Sequence, residues 1–241
     1  MDNSEKFEPE FEPKLEIKEK STEEKEEIEM IAANSSLSLQ DKIELVLVYL
    51  REKPASWPGL EVRFYKTGSE KEKQKELEKL NQEGEEILKL LEILDLPHYT
   101  YKDKEEEEKT IRVGYHFIIA QDLEKLNQLK KAIEGFKEGD LTKEKDIGLA
   151  LGYPESAVEG FIKKETFDVF DKAEGLRRLP KEKREKLKKE GVFKFLTFTP
   201  SEDSWEEELE LVRRYQKIIQ EKAPRMYDEV IKSTRDFEKR F

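Results

Sequence analysis

The residues best placed to do chemistry sit in two stretches of strand-like period. Leu60, Val62 and Phe64 alternate with Glu61, Arg63 and Tyr65. Ile111, Val113, Tyr115, Phe117 and Ile119 alternate with a second set that contains Arg112 and His116. Successive strand residues point to opposite faces. If the apolar set faces the core, Arg63, Tyr65, Arg112 and His116 share the other face. Two guanidinium groups, a phenol and an imidazole there suit a carboxylate or a phosphate. The same groups serve equally as solvated side chains or as partners of local carboxylates.

A second candidate is the segment Asp146–Phe161, which reads as helix, stop, helix. Gly152 suits the left-handed residue just past a helix end, and Pro154 suits the first turn of the next helix. Tyr153, Pro154 and Glu155 would be presented at the turn, as a binding surface. Gly148, Gly152 and Val158 also follow helix-turn-helix spacing, which would make Pro154–Lys164 the recognition helix. Its reading face, however, offers Glu155, Ser156 and Glu159, and carboxylates are repelled by phosphates. The third candidate is a basic stretch with Arg177, Arg178, Lys183, Arg184 and Lys186. It suits RNA, DNA or an acidic protein, and its commonest fate is a solvated helix face.

Other chemistry is excluded more firmly. The chain has no cysteine, so disulfides, thiol catalysis and cysteine-ligated zinc are out. His98 and His116 are its two histidines and lack metal-ligand spacing, so neither a metal nor a cofactor is expected. No glycine-rich phosphate loop and no Gly-x-Ser-x-Gly elbow occurs, and Lys66-Thr67-Gly68 lacks the companion motifs of the serine enzymes that share it.

The elements that must position these residues are legible. Residues 1–20 are charged and poor in apolar side chains, which predicts a disordered tail carrying the near-repeat Phe7–Glu10, Phe11–Lys14. Ser21–Glu24 reads as a capping box opening a helix through Ile28 and Ile31. Another helix begins near Ser38 and stops at Pro54, although Leu45–Leu50 also fits a buried strand. The strand at Leu60–Tyr65 is followed by a helix through Leu77 to Leu94, a short strand at Tyr99 and Tyr101, the Ile111–Ile119 strand, and a helix through Leu123 to Phe136. Val192–Phe198 would add a fourth strand. This order predicts an α+β fold with a ferredoxin-like βαββαβ core, both helices on one sheet face, and a helical insertion over about 140–190. Amphipathic helices after Pro200 and from Pro224 predict a C-terminal hairpin over 201–241, packed on the domain of residues 21–200.

The Leu151–Phe161 segment also resembles a poorly characterised prokaryotic family marked by Leu-Gly-Tyr-Pro-x-Cys-Cys-Val followed by an aromatic. Leu151, Gly152, Tyr153, Pro154, Val158 and Phe161 match that pattern. Ser156 and Ala157 stand at the cysteine positions, so any chemistry of those thiols is missing. The resemblance implies a fold relationship rather than an activity.

Of the 241 residues, 43% are charged and 35% apolar, and the net charge is -11. The acidic excess disfavours nucleic acid and membrane surfaces. The N-terminus has no basic start and no apolar run, and no stretch is long enough to span a bilayer, which predicts a cytoplasmic protein. The reading favoured on sequence is a non-catalytic intracellular protein-interaction or regulatory module whose partner is another protein. Two alternatives stand: a nucleic-acid-binding protein using the hairpin or the basic stretch, and a small enzyme acting on an anionic substrate.

Overall fold

The computed structural model describes residues 14–164 and 180–233. The elements in chain order are α1 (Lys14–Ala33), α2 (Leu39–Tyr49), β1 (Ala55–Ser56), β2 (Gly59–Tyr65), α3 (Glu70–Ile93), β3 (His98–Glu106), β4 (Thr110–Ala120), α4 (Leu123–Lys137), α5 (Lys143–Ala150), α6 (Glu155–Lys163), α7 (Lys181–Glu190), a 3-10 turn (Val192–Phe195), α8 (Trp205–Lys222) and α9 (Pro224–Lys232). The α+β expectation holds.

The sheet is antiparallel and built around β4. Along one edge β4 pairs with β2, Gly59 opposite His116 and Tyr65 opposite Thr110, and then with β1, Ala55 opposite Ala120. Along the other edge it pairs with β3, His98 opposite Ile119 and Glu106 opposite Ile111. Alternation assigns the faces. Tyr115, Phe117 and Ile119 pack with Leu80, Ile87 and Leu91 of α3 and with the large core of α1, α2, α8 and α9. Ile118 and Ala120 pack with Leu126, Leu129 and Ile133 of α4 and with Leu151. The two helices thus cover opposite faces rather than one. The run Val192–Phe195 forms a 3-10 turn after Gly191, at φ 64, so it adds no strand; the sheet's fourth strand is the short β1, and the described residues do not complete a ferredoxin-like order. Val192 and Phe195 are fully buried among helices, which explains their apolar character without a strand.

Residues 14–20, read from sequence as tail, are the first turns of α1, so the Ser21–Glu24 box lies inside that helix. The Phe7–Lys14 near-repeat lies outside the described residues but for Lys14. α2 settles the ambiguity of Leu45–Leu50: Ser38 caps it by accepting from the Asp41 amide at 3.1 Å. Each apolar residue from Leu45 to Val48 is buried because neighbours cover this helix all round. α8 and α9 contact each other and contribute to the core, with Pro224 opening α9.

Candidate functional site

The helix-stop-helix expectation is met by α5 and α6. The amide of Tyr153 donates to the Gly148 carbonyl at 3.1 Å, closing the end of α5. Gly152 has φ +78, and a Cβ there would stand 2.4 Å from Pro54 Cδ, so conformation and space both demand glycine. Gly148 lets the helices touch, since a Cβ on it would lie 2.7 Å from a Val158 methyl. Pro154 occupies the position just before α6 rather than its first turn. α6 is tied to α8 by a carboxylate: buried Glu208 accepts from Ser156 Oγ at 2.6 Å, Ser201 Oγ at 2.7 Å and the Ser201 amide at 2.8 Å. Ser156, one of the two residues at cysteine positions, thus has a structural bond, and Ala157 is buried beside it.

Between this hairpin and the segment Leu196–Thr199 lies a cleft of about 650 Å³. Trp57, Phe136, Ile147, Leu151, Tyr153, Val158, Phe161, Ile162, Leu196 and Phe198 make its walls, and Gln40, Glu44, Glu144, Thr197 and Thr199 are its other large polar groups. Phe161 and Ile162 are 52% and 42% exposed, unusual for large apolar side chains so close together. Glu44 belongs to a buried ion pair. Lys53 is fully buried, and its Nζ donates to Glu44 Oε2 at 3.1 Å and to the Ala55 carbonyl at 2.7 Å. Its Nζ also lies 5.0 Å from the centre of the Tyr153 ring. Ser56 Oγ donates to the same carboxylate oxygen at 2.8 Å. Burial pulls the Lys53 ammonium below its ordinary range, against the pull of Glu44. Burial likewise pushes the Tyr153 hydroxyl far up.

Arg63, Tyr65, Arg112 and His116 do share one sheet face, with Arg63 directly opposite Arg112. Their partners are local. Arg63 lies 3.6 Å from Glu61 and 3.7 Å from Glu107, and Arg112 lies 3.4 Å from Glu61 and 2.5 Å from Glu105. His116 Nε2 lies 3.0 Å from Asp103 Oδ2, and its ring stacks on Tyr101 at 4.8 Å. Burial pushes the Tyr101 hydroxyl up to about 12. These two guanidinium groups already face three carboxylates, so the patch offers an incoming anion little net attraction. Tyr65 stands apart at the exposed strand end.

In the helix-turn-helix reading, Glu155 and Glu159 hold Lys145 at 3.1 and 3.0 Å, leaving a carboxylate surface where a reading helix needs donors. In the basic stretch, Lys183 pairs with Glu206 at 2.5 Å and Lys186 with Glu190 at 3.8 Å. Arg184 lies on the same helix, and Arg177 and Arg178 lie outside the described residues.

Sequence reasoning did not find Glu44, Lys53, Thr197 or Glu208. A lysine after a helix or a glutamate inside an acidic helix carries no local mark of burial. Among the described residues, no group of three or more His, Asp or Glu could hold a metal ion, and no helix is long and apolar enough to cross a membrane. No family model, curated protein or solved structure matches the chain.

Proposed function

We propose that the protein is a non-catalytic intracellular interaction module that binds a segment of a partner protein in the cleft beside the Leu151–Phe161 hairpin. The observation that carries this reading is the cleft itself: apolar walls open to solvent, with Phe161 and Ile162 exposed on α6. Concave apolar surface bordered by a few polar groups is the usual form of a recognition site. The hairpin is held rigidly for that role, by the close contact of Gly148 with Val158 and by the bonds to Glu208. The likeness to the Leu-Gly-Tyr-Pro family fits the same hairpin: the shared Gly152 and Val158 build its turn and helix contact, while the absent cysteines stand at positions used here for packing.

Affinity purification of the full chain, of Phe161→Asp and of Tyr65→Asp tests the reading. The expected result is a set of partners shared by the wild type and Tyr65→Asp and lost from Phe161→Asp. Equal recovery by all three would place the interaction elsewhere and overturn the proposal.

A further inference from the structure

We infer that the cleft takes a segment of the partner whose backbone bonds the free main-chain groups of Thr197–Thr199, with a lysine or arginine of that segment held by Glu144 and Glu44. This rests on the reading of the cleft as a protein-binding site. Three features of its walls carry it.

The first is backbone. Among the described residues, Thr197, Phe198 and Thr199 make no main-chain hydrogen bond, although Thr197 and Phe198 are each only 7% exposed. Backbone polar groups in such surroundings are almost always paired. Leu196 just before them has the extended φ −64, ψ 125. The chain bends at Phe198, so these residues make a short bent wall of free donors and acceptors, next to apolar pockets, with which the backbone of a bound segment can pair.

The second is a stranded hydroxyl. Thr197 Oγ1 is buried without a hydrogen-bond partner. An unpaired buried hydroxyl is destabilising, and a segment lying along this wall would supply its partner.

The third is charge. Among the described residues, the charged side chains lining the cleft are Glu44 and Glu144, with no lysine, arginine or histidine. Lys53 is sealed behind the wall. Both bonds that Glu44 accepts among the described residues fall on Oε2, and Oε1 accepts neither. Glu144 is half-buried and has no ion-pair partner among the described residues. Gln40 uses its amide group on the Leu196 carbonyl at 2.7 Å and keeps its own carbonyl. Such a lining receives donors and positive charge and repels a carboxylate.

The test is selection of 12-residue peptides displayed on phage against the full chain, followed by titration of a synthetic copy of the best peptide. The expected peptides carry a lysine or arginine among apolar residues. The copy should bind Glu144→Gln about five- to tenfold more weakly, as for a partly exposed charge contact. Methylating its backbone nitrogens next to the basic residue should abolish binding. Peptides that depend on Phe161 but are acidic or uncharged, or that ignore Glu144→Gln, would overturn this inference and leave the cleft reading standing. Selection of no peptide, or of peptides indifferent to Phe161→Asp, would overturn both.

Discussion

Replacing Glu44 by leucine is expected to cost far more than replacing its partner Lys53 by methionine. The asymmetry follows from where the charges sit. The Lys53 side chain is 0% exposed, whereas the Glu44 side chain is 13% exposed and borders the cleft. Removing one member of a buried pair costs about 3–5 kcal/mol when the survivor is left uncompensated. In Glu44→Leu the survivor is a sealed ammonium whose one remaining bond is to the Ala55 carbonyl. In Lys53→Met the survivor is a carboxylate that keeps the Ser56 hydroxyl and reaches water, so a loss nearer about 1.5–3 kcal/mol is expected, the worth of one charged hydrogen bond. The pH dependence separates the two further. Burial already lowers the Lys53 pKa from 10.5, and Glu44 is what raises it back. Without Glu44 it falls lower still. Between that lowered value and 10.5 the unfolded chain binds the extra proton, so stability rises with pH there. The stability of Glu44→Leu should therefore recover from pH 7 towards pH 10 more steeply than that of the wild type, while Lys53→Met loses the effect. Urea denaturation of the three proteins across that range measures both quantities. Equal losses at pH 7, or parallel pH profiles, would refute the reasoning.

Other consequences are as direct. Thr197→Val removes a hydroxyl that has no partner, and should raise the stability of the free protein by about 1 kcal/mol, or roughly 2–4 °C in thermal midpoint; a fall would show that the hydroxyl is satisfied. Gly84→Ala would set a Cβ 2.1 Å from the Tyr115 ring, which is stacked on Phe117 at 4.7 Å. The overpacking of about 1–3 kcal/mol should outweigh a helix-propensity gain of about 1 kcal/mol, seen as a lower urea midpoint. Glu208→Ala removes the acceptor shared by Ser156 and Ser201, so amide exchange in α6 should speed up while that in α3, which makes no bond to Glu208, stays unchanged.

Local patterns in the chain carried much of this structure. Alternation at Leu60–Phe64 and Ile111–Ile119 placed β2 and β4, and placed Arg63 and Arg112 on one face, because strand parity is a backbone property. Gly152 announced the end of α5, since a left-handed residue with proline two positions later leaves few alternatives. One signal was legible and was missed: Phe117, Ile118, Ile119 and Ala120 are apolar without alternation, which marks a strand end covered on both faces. That run already argues against placing α3 and α4 together. Other features exist only where distant surfaces meet. Val192–Phe195 suits a strand or a helical turn by composition, and the helices around it decided. The burial of Lys53 depends on Glu44, Ala55 and Tyr153 closing around it, and the strandedness of Thr197 on what fails to reach it. Residue type sets local geometry and charge. Which charges are sealed, and which walls face one another across a cleft, follows from long-range packing, and that is where the candidate site of this protein was decided.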